Sequence, residues 1–102
     1  MLSTAEQIVE NLTAFPWGNF GVRPDVIKVM QHGNAVHVWI FSKSEKGIVR
    51  EVAKTFWLNP GVRLGKLAEL VSEFLGVTDR QTRGEVDLAF ANGRMIQLGV
   101  GA

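Results

Sequence analysis

The 102-residue chain reads as one α+β domain, an antiparallel sheet in the order α-β-β-β-α-β-β with two helices packed on one face. Three observations predict this. A capped, amphipathic segment opens the chain, alternating runs rich in β-branched and aromatic residues follow, and a second apolar helical stripe stops at a glycine.

Ser3-Thr4-Ala5-Glu6 has the form of a capping box, in which Ser3 accepts from the Glu6 amide and the Glu6 carboxylate reaches back. Ala5, Ile8, Val9, Leu12 and Phe15 recur at helical spacing behind it, and Pro16 stops the helix. Residues 15–21 place three aromatic rings and two glycines in one loop. Phe15 continues the helix stripe and belongs to the core. For Trp17 and Phe20 two fates stay open: plugging the end of the core, or forming a contact surface.

Val26–Gln31 reads as a strand, His32-Gly33-Asn34 as a turn, and Ala35–Ser42 as a second strand. The second strand is apolar on both sides, with Val36, Val38 and Ile40 on one and Trp39 and Phe41 on the other, which predicts a central strand. Residues 48–58 fit two templates. Ile48, Val49, Val52, Ala53, Phe56 and Trp57 match a helix, but the Lys43–Gly47 loop and the Val, Ile, Thr, Phe and Trp content favour a strand. Strand is the expectation. Asn59 as N-cap and Pro60 as first residue start the second helix, which runs to Leu75 with Leu64, Leu67, Val71, Phe74 and Leu75 inward and Gly76 closing it. Gly61 and Gly65 weaken its first turn, or Gly65 admits a close backbone approach. A polar connector (77–84) leads to a closing hairpin. Val86, Leu88 and Phe90 alternate on one arm and Ile96, Leu98 and Val100 on the other, around a bulged Ala91-Asn92-Gly93 turn.

Composition narrows function. A chain of this length is one domain, residues 1–102, able to bury roughly 60–70% of its unfolded surface. Hydrophobic content of 46% and charged content of 21% are those of a folded globule. The net charge is +1, so no global field draws in nucleic acid or an acidic membrane. Charge is nevertheless uneven. Residues 21–66 hold eight cations against three carboxylates, and both flanking segments are net negative. There is no cysteine, hence no disulfide and no thiolate metal site. The first residues lack a basic and then apolar leader pattern, and no apolar run approaches the ~20 residues of a membrane span, so a cytoplasmic protein with no membrane role is expected.

Candidate chemistry is sparse. His32 and His37 lack a third converging ligand, and a zinc site needs three or four; no metal and no cofactor is expected. Gly61–Leu67 has three residues between its glycines where a phosphate loop has four, and Leu67 stands where that loop needs a hydroxyl. An anion at the start of the second helix beside Arg63 and Lys66 is a weaker option. Asp79, Glu85 and Asp87 read as loop charges, and no histidine–serine pair with an acidic orienter stands out, so the reading leans away from an enzyme.

The order α-β-β-β-α in residues 3–75 resembles the double-stranded RNA-binding domain in topology only. The resemblance implies a lysine-rich patch at the start of the second helix. Here Gly61–Ala68 offers Arg63 and Lys66 alone, interrupted by Leu64 and Leu67.

Surplus aromatics without a catalytic constellation point to a protein-interaction module, an adaptor, inhibitor or regulator that binds another protein, itself as a homodimer, or both. Trp17, Phe20, Trp39 and Trp57 are the expected contact residues. The alternative is a nucleic-acid binder using Arg50, Lys54, Arg63 and Lys66, flanked by Arg80 and Arg83.

Overall fold

A computed structural model describes residues 3–59 and 61–91. Among them run α1 (Thr4–Ala14), a short 3-10 helix (Trp17–Phe20), β1 (Val26–His32), β2 (Ala35–Ser44), β3 (Gly47–Trp57), α2 (Leu64–Leu75) and α3 (Arg80–Ala91). The strands form one antiparallel sheet in the order β1-β2-β3.

The first helix starts as its residues dictate. Ser3 Oγ accepts from the Glu6 amide at 3.2 Å and Glu6 Oε1 accepts from the Ser3 amide at 3.1 Å. Hydrogen bonding of the Glu6 carboxyl by the Ser3 amide, and after it by the Ser3 side chain, holds it below its ordinary pKa. Residues 47–57 are strand, so the β-branched and aromatic content of this stretch outweighs its helical spacing.

Both hairpin connections are tight. His32 pairs with Ala35 and Ser44 with Gly47, leaving two residues in each turn. Gly33 supplies a φ of 62° at the first turn position, where a side chain would be strained. Near the second turn the register shifts between Ser42 and Lys43: Ser42 faces Arg50, Lys43 faces Ile48, and Val49 is the extra residue of a bulge. Asp25 ties β1 to the far end of β2, its amide donating to the Phe41 carbonyl at 2.9 Å and its carboxylate accepting from the Lys43 amide at 2.8 Å.

All three helices share one core with one face of the sheet. Residues directly opposite on neighbouring strands share a face, so the register places Ile27 and Val29 of β1, Val36, Val38 and Ile40 of β2, and Val52, Lys54 and Phe56 of β3 on the same side. The β2 trio is fully buried with Ile8 and Leu12 of α1, Leu67, Leu70, Val71 and Phe74 of α2, and Val86 and Phe90 of α3.

Three expectations are corrected. The sheet has three strands among the described residues, not five, because Val86–Phe90 lies in α3. Asp79 starts that helix: its carboxylate accepts from the Thr82 amide at 2.8 Å and the Thr82 hydroxyl at 2.7 Å, which lowers its pKa. Val86 and Phe90, four apart, then face inward while Leu88 is turned outward, 69% exposed. The expected second arm, Ile96–Val100, and the Asn92-Gly93 turn lie outside the described residues. Among the described residues the α-helices on the core face accordingly number three, not two. Finally, α2 begins at Leu64 rather than Pro60. Its N-cap is Arg63, with no side-chain cap, and Asn59 sits in a turn instead. Gly65 thus falls in the first turn, and a Cβ there would meet nothing within 4 Å, so no close backbone approach explains it. The other end is as expected: Gly76 is left-handed, its amide donates to Glu73 and the Val77 amide to Ser72.

Candidate interaction surfaces

The aromatic loop folds inward. Trp17 is 2% exposed, and its indole N–H donates to the Leu12 carbonyl at 2.9 Å, one of the carbonyls left over at the end of α1. Phe15 stands at the centre of a ring cluster, its centroid 4.8 Å from Trp17, 5.3 Å from Phe20 and 5.1 Å from Phe90, while Trp17 meets Phe74 edge-on at 5.8 Å. The loop therefore joins α1 to α2 and α3. Trp17 is withdrawn from the expected contact set because it is core, and Phe20 is half-buried against that core. Each ring carries a large apolar area and packs edge-on or stacked against its neighbours, and the sequence spacing alone could not show what lay behind them.

Among the described residues no helix lies over the other face of the sheet. Register places Val26, Lys28, Met30 and His32 of β1, His37, Trp39 and Phe41 of β2, and Glu51, Ala53, Thr55 and Trp57 of β3 on this side. Trp39 and Phe41 occupy its centre, ring centroids 4.3 Å apart. Lys28 Nζ lies 5.9 Å from the Trp39 ring on the β1 side. On the β3 side Glu51 accepts from the Trp39 indole at 3.0 Å, and His37 Nδ1 meets the Thr55 hydroxyl at 2.9 Å. Its rim exposes large apolar side chains beside the polar ones: Met30 is 61% and Trp57 64% exposed.

The basic residues proposed for nucleic acid do not assemble beside these rings. Arg50 and Lys54 project from β3 to the opposite, helix-covered side. Arg50 Nη1 donates to the Phe74 carbonyl at 3.0 Å with its guanidinium 5.9 Å from the Phe74 ring, and Lys54 pairs with Glu73 at 2.9 Å. Arg50 thus caps the C-terminal end of α2, where leftover carbonyls and the helix dipole favour a cation. Arg83 bonds Asp87 at 3.3 Å within α3, and Arg80 is exposed at that helix's start. Arg63 and Lys66 do come together with Lys54, Trp57 and Glu69, around an open groove of about 470 Å³ between the end of β3 and the start of α2.

His32 and His37 stay apart from Asp25, which is engaged at the other end of the sheet. Among the described residues no three His, Asp or Glu side chains converge on a point where a metal could sit, and no helix is long and apolar enough to cross a membrane. No protein-family model, curated protein or solved structure matches the chain.

Proposed function

We propose that the protein is a non-catalytic interaction module that associates with a second copy of itself through the open face of its sheet and in that form serves as an adaptor or regulator of another protein. The uncovered face carries this reading. Two-layer domains bury the apolar side of a sheet and solvate the other, yet here the solvated side has Trp39 and Phe41 at its centre and Met30 and Trp57 at its rim. Half-buried and exposed aromatics bounded by charge are the composition of a contact patch.

The distribution of charge supports a second copy as the occupant. Lys28 lies on the β1 side of Trp39 and Glu51 on the β3 side. A two-fold axis in the interface along β2 lays β1 of each copy over β3 of the other, bringing the Lys28 side of one against the Glu51 side of its mate, so the patch is self-complementary. Three strands about 4.8 Å apart offer roughly 400–600 Å² per copy, below the roughly 800 Å² of a standard interface. A reversible dimer with a dissociation constant on the order of micromolar is therefore expected.

Sedimentation equilibrium from about 5 to 500 μM spans that range. The wild-type chain should pass from monomer to dimer, and Met30→Ala/Trp57→Ala, which alters only exposed side chains, should shift the midpoint upward at least about tenfold. A wild-type chain that stays monomeric throughout, or a double variant that dimerises equally well, removes the open face as the contact.

A further inference from the structure

The sheet has a second unpartnered feature, distinct from its open face. β3 is an edge strand eleven residues long. Among the described residues its outer backbone row has no hydrogen-bond partner. The polar contacts of β3 with α2 run through the Arg50 and Lys54 side chains instead. A long bare edge is a template for another strand. At its C-terminal end this edge forms one wall of the groove of about 470 Å³: Lys54–Trp57 line one side, and Arg63, Lys66 and Glu69 at the start of α2 line the other. A free strand edge facing a helix across a groove has the geometry that accepts an extended peptide as an added strand, with backbone bonds supplying affinity and alternate side chains supplying selectivity.

We infer that this groove binds an extended, acidic segment of a partner protein by adding it to the β3 edge. Charge selects the occupant. Three cations stand around the groove against one carboxylate, Glu69. Lys54 and Lys66 are held only by surface pairs, the half-buried Lys54 to Glu73 at 2.9 Å and Lys66 to Glu69 at 3.7 Å, and pairs open to solvent exchange at little cost. Arg63 makes no ion pair among the described residues, and its exposed side chain is available to a carboxylate in a two-pronged bond. Trp57, largely exposed at the lip, gives an apolar side chain of the added strand a surface to lie on. The chain's own residues 92–102 have the wrong charge for this role, since they hold Arg94 and no Asp or Glu.

Selection of the full-length chain against a phage-displayed library of random dodecapeptides tests the inference, with Arg63→Glu/Lys66→Glu as the counter-target. Both replaced residues are exposed and lie off the open face, so dimerisation through that face should be unchanged and the two readings fail separately. Enriched peptides should alternate Asp or Glu with apolar residues. The best of them, synthesised, should shift the backbone amide resonances of residues 53–58 and 63–69, bind at least about tenfold more weakly to the double variant, and lose binding when alternate peptide nitrogens are methylated. No enrichment, equal enrichment on the double variant, amide shifts confined to the open face, or tighter binding of an oligothymidylate than of any peptide would each overturn it.

Discussion

The two faces of one strand, β2, have opposite fates. Val36, Val38 and Ile40 are sealed beneath three helices, while His37, Trp39 and Phe41, alternating with them, look out from an uncovered sheet. Both faces carry large apolar side chains, so hydrophobicity alone does not assign the core. What separates them is the set of helices, each of which has one apolar stripe to bury and can do so against only one side. The sheltered face therefore governs stability and the open one is free to govern association.

Substitutions on the two faces break or sharpen this contrast. The largest effect should come from the sheltered side: Trp17→Ala removes a buried indole that links α1 to Phe74 and should cost about 3–5 kcal/mol in urea unfolding, and Ile40→Ala about 2–5 kcal/mol. Trp57→Ala, although it deletes an equally large ring, should move monomer stability by no more than about 0.5 kcal/mol while weakening self-association. Comparable losses at Trp17 and Trp57 would mean the open face is covered in the folded monomer.

An intermediate effect should come from the β3–α2 seam. Arg50→Ala strips the bond to the Phe74 carbonyl and the ring contact, for about 1–2 kcal/mol. Lys54→Ala, which removes a partly exposed ion pair four residues along, should cost under about 1 kcal/mol. Equal losses would show that Arg50 acts through charge alone.

Smaller effects belong to the helix starts. Hydrogen bonds hold the Glu6 and Asp79 carboxyls below their ordinary range, so the folded state binds fewer protons than the unfolded chain as acid is added. The stability they contribute is complete above the ordinary carboxylate range and is lost as the pH falls through it and then through the depressed folded-state values. Asp79→Asn should keep a cap on α3 and flatten the acid limb of the stability curve followed by circular dichroism, and an unchanged acid limb would place the titration elsewhere. The smallest change expected is a gain. Gly84 lies within α3 with nothing within 4 Å of an added Cβ, so Gly84→Ala should stabilise by up to about 1 kcal/mol.

Much of this architecture is legible in single segments. Ser3 and Glu6 announce α1, Gly76 announces the end of α2, and the β-branched and aromatic content of 47–57 announces β3, because each depends on bonds or conformations within a few residues. The segment 77–91 misleads for a definite reason. Val86, Leu88 and Phe90 satisfy a period of two, while Val86 and Phe90 without Leu88 satisfy a helix, and one exposed leucine decides between them. Asp79 followed by Thr82 was the local signal for the helix. At the candidate surfaces, Trp39 and Trp57 were recognisable as surplus aromatics, and Arg63 with Lys66 as a basic pair. Neither the burial of Trp17 nor the sidedness of Arg50 and Lys54 was recognisable, since both follow from strand register and helix placement.

The sequence by itself determined the capped start of α1, the glycine stop of α2, the places where the chain turns between strands and a strand apolar on both sides, all of which arise from short-range hydrogen bonding, allowed backbone angles and alternation. Only the tertiary structure decided which side of that strand was covered, which rings became core and which cations were already engaged. Those outcomes depend on groups distant in sequence competing for one sheet face, and the winner is set by the shape and packing of the assembled helices rather than by any residue's own preference.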